Sequence, residues 1–306
     1  MDFATVKDIL KLSRGLTYAA VLWYLLGAFF AILIGTPFNA WKLILGYCVA
    51  LPGVIVGTLT NSYYDVTVDK YSTATPISGG TKVLSDRPEL LRTIRYLIVF
   101  FFCFSLALGL IFTIVFSFPI TFLAFVFVAD FIAWAYTAPP LRLVYRGFGE
   151  LVTMILGGFF MGGIGYFVIK GTIDMTFLVF SIPLMLMMFA FAFYVEIPDR
   201  EADFRGHKKT LVVRINERFG FVTGLIALAG ATICFLFYYL LHVLPESGNF
   251  LIIGLYSVIP VAFAAQGYLK YRIDPLTGVS SVFRSSISIL SVIMFIDAYF
   301  AYAILT

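Results

Sequence analysis

Long apolar runs of about 20 residues dominate this 306-residue chain and constrain its fold more than any other feature. A helix needs about 20 apolar residues to cross the hydrocarbon core of a bilayer. Hydrophobic residues make up 61% of the chain, and Asp, Glu, Lys and Arg only 12%. So few charges could not solvate a soluble fold with this much apolar surface. The composition excludes a soluble globular protein and a disordered chain, and it predicts an all-α, polytopic membrane protein.

Nine runs have the length and hydropathy of membrane spans, and we expect nine transmembrane helices in a single bundle around a central cavity. They are Leu16–Ile34, Leu43–Thr60, Ile94–Phe116, Pro119–Ala138, Phe148–Ile169, Met175–Tyr194, Phe219–Leu241, Phe250–Leu269 and Ser285–Leu305. The third and fourth are separated by Ser117-Phe118-Pro119 without a nearby charge, and a kink there would leave eight spans. Residues 1–306 are treated as one domain with pseudo-repeat halves, 1–145 and 146–306.

The 21 basic residues are distributed unequally between the two ends of these spans. Lys42 and Lys170 fall on one side, and the other 19 fall on the side of the N-terminus and of the loops after the even-numbered spans. Cytoplasmic loops carry an excess of Lys and Arg. The N-terminus and these loops are therefore predicted to be cytoplasmic, and nine spans place the C-terminus outside. Two of the loops, residues 62–93 and 195–218, are long and charged, and we expect them to cap a polar site.

Two acidic clusters close the second and the sixth span, one in each half of the chain. The first contains Asn61, Asp65 and Asp69, at spacing i, i+4, i+8. The second contains Glu196, Asp199 and Asp203, at spacing i, i+3, i+7. Each spacing places its three side chains on one face of a helix. Each cluster taken alone is also compatible with solvated loop charges. Their occurrence on the same membrane side, one per half, favours a shared site.

Stacked carboxylates repel each other, so the pattern favours a cation bound among them. All the potential ligands are hard oxygen atoms, which suit Mg²⁺ or Ca²⁺ better than zinc or copper. Mg²⁺ usually takes one or two carboxylates together with water and substrate phosphate oxygens. Two acidic clusters that face each other across a cavity therefore predict a diphosphate that is bridged to the protein through Mg²⁺.

At these residues the chain resembles the UbiA superfamily of intramembrane prenyltransferases. Asn61, Asp65 and Asp69 match the family's NxxxDxxxD signature, and Asp199 and Asp203 match its DxxxD signature with Glu196 upstream. Further similar segments are Arg14 before the first span, Tyr136-Thr-Ala-Pro139-Pro140-Leu-Arg142, and Gly206-His-Lys208-Lys-Thr210-Leu-Val-Val-Arg214. Where many members carry an Arg-Pro pair, this chain has Ser78-Gly79-Gly80, as in a subset that includes menaquinone-type members.

The resemblance implies transfer of a prenyl group from an allylic polyprenyl diphosphate, by ionisation to an allylic carbocation and release of diphosphate. It implies that two Mg²⁺ ions are held by the six residues of the acidic clusters, among which Asp65, Asp69, Asp199 and Asp203 are the catalytic carboxylates. The expected diphosphate contacts are Asn61, Arg14, Lys82, Tyr136, Arg142 and Lys208. The glycine-containing segment Ser78–Gly80 is expected to act as a lid that excludes water.

The sequence is compatible with two chemical classes of acceptor. The Ser-Gly-Gly variant favours an aromatic lipoquinone precursor, and a glycerol-linked lipid phosphate of archaeal ether-lipid synthesis is the alternative. Asp130 and Asp297 fall inside predicted spans, where a carboxyl group indicates function, and Asp130 is expected to face the cavity and accept a hydrogen bond from the acceptor. We expect no nucleic acid and no obligate protein partner, only the donor, the acceptor and the bilayer.

Two other functions compete with the enzyme. A cation-coupled transporter would also carry intramembrane acids and an internal duplication, but its acids would lie near the midplane instead of at the ends of spans. A structural or receptor-like membrane protein would have no use for paired acidic clusters.

Overall fold

The structure is a computed structural model that describes residues 3–12, 14–73 and 80–306, and side chains for 5–12, 19–73 and 80–306. These residues form helices and turns, with no β-strand in the described ranges. The α-helices are α1 (Phe3–Leu12), α2 (Arg14–Leu33), α3 (Ala40–Tyr64), α4 (Val66–Asp69), α5 (Val83–Asp86), α6 (Leu91–Val115), α7 (Ile120–Ala135), α8 (Gly149–Ile155), α9 (Gly162–Lys170), α10 (Met175–Glu196), α11 (Arg200–Arg205), α12 (Leu211–Arg214), α13 (Glu217–Leu240), α14 (Phe250–Tyr256), α15 (Val258–Ile273) and α16 (Pro275–Leu305). A π-helical turn, Leu156–Met161, joins α8 to α9.

The all-α, multi-pass architecture predicted from the composition is confirmed. The described residues contain seven helical segments that are long and apolar enough to cross a membrane, at the predicted positions of the second, third and fifth to ninth spans. Shorter apolar helical stretches, Ala19–Leu33 and Ile120–Ala135, occupy the positions of the first and fourth spans. The count of nine is not confirmed, because a helix of 16 residues such as α7 extends only about 24 Å, less than the hydrocarbon thickness of about 30 Å.

Polar residues at the start of four membrane helices fix where those helices begin. The side chains of Asn39, Asp174, Asn216 and Asp274 each accept a hydrogen bond from a backbone N–H in the first turn of the helix that follows, α3, α10, α13 or α16 respectively. Such caps satisfy amide groups that have no partner within the helix. The predicted break between the third and fourth spans is a turn rather than a kink, since α6 ends at Val115 and Ser117 adopts a φ of +52°.

Two apolar clusters hold the bundle together. The larger contains residues of α2, α9, α10, α13 and α16 and includes the buried rings of Phe30, Phe180 and Phe300. The smaller contains Leu12, Leu59 and Leu84 and joins the short helices α1 and α5 to α3 and α6. The chain segments that end at residue 73 and begin again at residue 80 are therefore packed onto the same end of the bundle.

Glycines allow α2 and α9 to approach closely. A Cβ on Gly27 would overlap the carbonyl oxygen of Gly162, and one on Gly165 would overlap the carbonyl oxygen of Tyr24. Small residues permit this kind of contact between membrane helices. The contact joins a helix of the first half of the chain to one of the second half and closes the bundle beside the cavity described below.

Candidate functional site

The first acidic cluster lies where α3 passes into α4. The backbone N–H of Asp65 donates to the carbonyl oxygen of Asn61 at 2.9 Å, and that of Asp69 donates to Asp65 at 2.8 Å. The helical spacing therefore continues through the junction and keeps the three side chains on one side. Asp65 and Asp69 are 1% and 8% exposed, and all three residues line a single cavity.

The second acidic cluster lies where α10 passes into α11. Pro198 stands in the turn between them, after the last residue of α10, so it does not interrupt the membrane helix. The N–H of Asp199 donates to the carbonyl oxygen of Glu196 at 3.1 Å, and that of Asp203 donates to Asp199 at 2.9 Å. Glu196, Asp199 and Asp203 line the same cavity as the first cluster.

Lys208 joins the two clusters. Its ammonium group lies 2.5 Å from a carboxylate oxygen of Asp65 and 3.6 Å from one of Asp203. The side chain is 11% exposed. Burial by itself lowers the pKa of Lys208, but the surrounding carboxylates, Asp203 and Asp65 foremost, raise it well above its usual value. The positively charged ammonium group of Lys208 therefore lies between the two acidic helix ends.

The loop that carries Lys208 is fixed from two sides. A Cβ on Gly206 would overlap the side chain of Val68, so glycine is needed where this loop packs on α4. On the other side, a carboxylate oxygen of Glu150 accepts hydrogen bonds from the backbone N–H groups of Leu211 and Val212, at 2.6 and 3.4 Å. Glu150 is completely buried at the start of α8.

The cavity has a volume of about 350 Å³ and two chemically different parts. Its acidic end is formed by both clusters and by Lys208, Tyr136 and Gly80. The rest is mainly apolar, with Trp23, Ala50, Phe160, Ile164 and Met188 among its walls. Such a cavity can hold an anionic group bound through cations at one end and a hydrocarbon chain along the remainder.

Position 80 has room only for a glycine. A Cβ there would overlap the carboxylate of Asp69, and the N–H of Gly80 donates to the hydroxyl of Ser72 at 2.8 Å. The end of the predicted lid segment thus lies directly against the first cluster. Ser78 and Gly79 themselves lie outside the described residues.

The predicted diphosphate contacts do not all lie at the cavity. Asn61, Tyr136 and Lys208 line it. Lys82 is exposed at the start of α5, and Arg142 is exposed with its guanidinium carbon 4.1 Å from the ring centroid of Tyr145, so neither lines the cavity. The side chain of Arg14 lies outside the described part of the chain.

Two residues of the site were not predicted from the sequence. The hydroxyl of Tyr145 donates to a carboxylate oxygen of Asp65 at 2.7 Å, and Glu150 holds the loop after the second cluster. Burial and the adjacent carboxylate raise the pKa of Tyr145, which keeps the hydroxyl protonated as a donor. A sequence signal existed for both, since they follow the Pro-Pro segment and Glu150 is a charge at the start of an apolar run.

The donor set fits a cation such as Mg²⁺ that is bound largely through a substrate. The amide oxygen of Asn61 is buried and has no hydrogen-bond partner. Within the described ranges, no group of three or more Asp, Glu, His or Cys side chains is arranged to hold an ion by itself. Mg²⁺ usually takes one or two protein carboxylates, and water and substrate phosphate oxygens complete its shell.

Comparisons with known proteins agree with this fold. Over 96 residues the chain is 34% identical to the 1,4-dihydroxy-2-naphthoate octaprenyltransferase of Bacillus subtilis, a match that spans 31% of this chain and 30% of that enzyme. A UbiA homologue from Archaeoglobus fulgidus, solved with DMAPP and Mg²⁺, superposes with a TM-score of 0.65 at 15% identity, covering 95% of this chain and 99% of that one.

A solved digeranylgeranylglyceryl phosphate synthase superposes with a TM-score of 0.65 at 14% identity, covering 99% of this chain and all of the other. At these identities the two structural matches establish a shared fold. The family model described as the UbiA prenyltransferase family matches residues 20–287, most of the chain. This chain therefore belongs to the UbiA prenyltransferase family.

Proposed function

We propose that this protein transfers a prenyl group from an allylic prenyl diphosphate to an acceptor that enters the same cavity. The observation that carries the proposal is the meeting of two acidic helix ends, from α3–α4 and α10–α11, at one end of an otherwise mainly apolar cavity. The polar end suits the diphosphate and the apolar part suits the isoprenoid chain. The homologue solved with DMAPP and Mg²⁺ supports this assignment of the two parts.

In this proposal two Mg²⁺ ions are held at the acidic end by the oxygen atoms of Asn61, Asp65, Asp69, Glu196, Asp199 and Asp203. Bound there, the metal supplies Lewis-acid stabilisation of the negative charge on the leaving diphosphate. Lys208 adds a fixed positive charge, and its ammonium group can pair with a phosphate oxygen in place of Asp65. Tyr145 holds the carboxylate of Asp65 in place throughout.

The apolar walls protect the reacting group. An allylic carbocation is quenched by water, so the reaction needs a dry compartment. Trp23 and Met188 are buried and line the cavity beyond the acidic end. They exclude water and present an aromatic face and a polarisable sulfur to the chain, both of which favour a developing positive charge.

For the acceptor we propose an aromatic lipoquinone precursor of the dihydroxynaphthoate type. The partial match to the Bacillus subtilis naphthoate octaprenyltransferase supports this class. A glycerol-linked lipid phosphate is the competing acceptor. Both acceptors are anions, and the competing one differs by carrying a phosphate and a flexible lipid chain instead of a carboxylate on an aromatic ring.

The test is a transfer assay with the purified protein in lipid nanodiscs. DMAPP, GPP and longer prenyl diphosphates are each combined with 1,4-dihydroxy-2-naphthoate or a glycerol-linked lipid phosphate, with Mg²⁺ or with EDTA, and products are identified by mass spectrometry. We expect a prenylated naphthoate in Mg²⁺ and none in EDTA. Transfer to the lipid phosphate alone would replace the proposed acceptor, and the absence of transfer to either class would refute the proposed function.

Two variants and a matched control connect this activity to the site. Asp65→Asn and Asp199→Asn remove one negative charge each from the cavity and are expected to abolish transfer. Asp203 remains as a partner of Lys208 in both variants, so we expect both to fold. Glu201→Gln removes a charge two residues after Asp199, but the side chain of Glu201 is 68% exposed and pairs with Arg205. It should retain activity, and wild-type rates in either aspartate variant would contradict the site assignment.

A further inference from the structure

A second carboxyl group faces the cavity away from its acidic end. Asp130 lies in the membrane helix α7, is 4% exposed, and lines the cavity that contains the two acidic clusters. The other charged side chains among the described lining residues belong to the two acidic clusters or to the loop that carries Lys208, whereas Asp130 belongs to neither. A carboxyl group inside a membrane span is unfavourable unless it has a polar partner or a function.

The protein leaves this carboxyl group incompletely satisfied. One of its oxygen atoms has no hydrogen-bond partner. The carboxyl group interacts with the hydroxyl of Ser105, but that hydroxyl has a single proton, which it shares with the carbonyl oxygen of Val49 at 3.1 Å. An unsatisfied polar group at the wall of a cavity indicates a partner that arrives with a ligand.

The fold makes room for the carboxyl group at this place. On α3, a Cβ on Gly53 would overlap a carboxylate oxygen of Asp130, so the aspartate fits here because the facing residue is glycine. Gly53 precedes Asn61 by eight residues on the same helix, which is about 12 Å along its axis. Asp130 therefore lies well beyond the diphosphate end, in the part of the cavity with apolar walls.

We propose that Asp130 binds a hydroxyl group of the acceptor and thereby selects hydroxylated acceptors, an inference that rests on the proposed function. A hydroxyl group can donate to a carboxylate and can accept from a carboxylic acid, so it suits Asp130 in either protonation state. A hydrocarbon group in contact with Asp130 would leave the carboxyl unsatisfied, and a carboxylate or phosphate in contact with it would place two acidic groups together in an apolar cavity. The carboxylate of a hydroxynaphthoate must therefore point away from Asp130. Asp130 acts here as a specificity-determining residue that touches the acceptor.

The experiment measures equilibrium binding without a prenyl diphosphate, so its result does not depend on turnover. The probes are 1,4-dihydroxy-2-naphthoate and its 1,4-dimethoxy analogue, which lacks both hydroxyl protons. Trp23 lines the cavity and reports occupancy by fluorescence quenching in a Trp41→Phe, Trp134→Phe background. The variants are Asp130→Leu and Asp130→Asn, where the second keeps the shape of the side chain and tests the same contact should the leucine variant not fold.

The matched control is Asp297→Leu. Asp297 is a buried carboxyl in the membrane helix α16 with both oxygen atoms unpartnered, but it is not among the described residues that line the cavity. It therefore reports the general effect of removing a buried acid from a membrane helix.

We expect the wild type and Asp297→Leu to bind the dihydroxy probe about tenfold more tightly than the dimethoxy probe, the effect of one hydrogen bond to an acid. Asp130→Leu should remove this preference by weakening the dihydroxy probe alone, and Asp130→Asn should reduce it. A wild type without preference, or a leucine variant that weakens both probes equally, would overturn the inference. A retained preference in a protein that transfers no prenyl group would refute the proposed function alone.

Discussion

Lys208 connects the two halves of the site at the level of single residues. Its ammonium group contacts Asp65 of the first acidic cluster and Asp203 of the second, and all three side chains are almost completely buried. Buried carboxylates without a cation are strongly unfavourable. Lys208 therefore stabilises the arrangement of the two helix ends in the absence of substrate, and we expect its removal to affect folding as well as activity.

Lys208→Met should lower the stability of the protein by about 3–5 kcal/mol, the effect of leaving a buried charge without its partner. The measurement is thermal unfolding of the purified protein in detergent, followed by intrinsic fluorescence. The adjacent Lys209→Met is the control, because the side chain of Lys209 is exposed. Equal melting temperatures for the two variants would show that Lys208 does not hold the acidic ends together.

Tyr145 should contribute to activity through Asp65. Tyr145→Phe removes the 2.7 Å hydrogen bond to its carboxylate, and a hydrogen bond to a charged group is worth about 1.5–3 kcal/mol. We expect transfer to slow by about tenfold or more and the Mg²⁺ concentration for half-maximal rate to rise. Tyr96→Phe, at an exposed position, serves as the control. An unchanged Mg²⁺ requirement would mean that Tyr145 does not position a metal-binding carboxylate.

The acidic residues of the site were predictable from sequence because their spacing is a property of one helix. Asn61, Asp65 and Asp69 recur with the period of a helical face, and the structure keeps them on one side. Tyr145 and Glu150 were not predictable in this way, since each reaches the site across a long separation in sequence, to Asp65 and to Leu211. Side-chain contacts of this kind depend on how helices pack, which periodicity alone does not specify.

At the level of elements, hydropathy predicted where the membrane helices lie but not their internal irregularities. The fifth predicted span contains a π-helical turn at Gly157 and Gly158, where a Cβ on Gly158 would overlap the backbone of Met185. The eighth is divided at Ser257, whose hydroxyl donates to Gly254 and lies 2.8 Å from the hydroxyl of Thr232. Such irregularities arise from contacts with neighbouring helices. The hydropathy of the sequence does not predict them, because each residue involved also occurs in regular helices.

The close packing of α2 on α9 gives a prediction at the same scale. Gly27→Ala would place a methyl group onto the carbonyl oxygen of Gly162, so the two helices must separate. We expect a loss of about 1–3 kcal/mol, the usual effect of overpacking a core. Gly230→Ala is the control, since a Cβ there meets a leucine methyl group at an ordinary 3.4 Å. Thermal unfolding of both variants provides the comparison, and similar stabilities would contradict the importance of this contact.

For the molecule as a whole, the acidic clusters and the basic loops occupy the same end of the bundle. The loop with Lys208 packs on α4, and α1 is tied to the segment before α6 by an ion pair of 2.9 Å between Asp8 and Arg87. By their positions in the sequence almost all the basic residues belong to this end, so the asymmetry that predicts orientation also predicts the side at which Mg²⁺ would enter and diphosphate would leave. The orientation of the chain and its division into two similar halves stay predictions.

Cysteine labelling of intact cells tests the orientation directly. In a background with Cys48, Cys103 and Cys234 replaced by serine, single cysteines are introduced at Lys209, between α11 and α12, at Thr172, between α9 and α10, and at Thr306, after α16. Because the loops after even-numbered spans are basic, a membrane-impermeant maleimide should label Thr172→Cys without permeabilisation and Lys209→Cys only after it.

The label at Thr306→Cys then distinguishes an odd from an even number of crossings. Nine crossings with a cytoplasmic N-terminus place this residue outside, where it reacts in intact cells. If α7, with only 16 residues, failed to cross the bilayer, the sides of all later loops would be inverted relative to α3, and Thr172 would be protected while Lys209 reacted. That inversion would separate the two acidic clusters across the membrane, which is incompatible with Lys208 contacting both Asp65 and Asp203. In a chain with a cytoplasmic N-terminus, labelling of Thr172→Cys in intact cells with protection of Lys209→Cys is therefore the pattern that the assembled site requires. Labelling of Thr306→Cys in intact cells is the additional result that nine crossings predict.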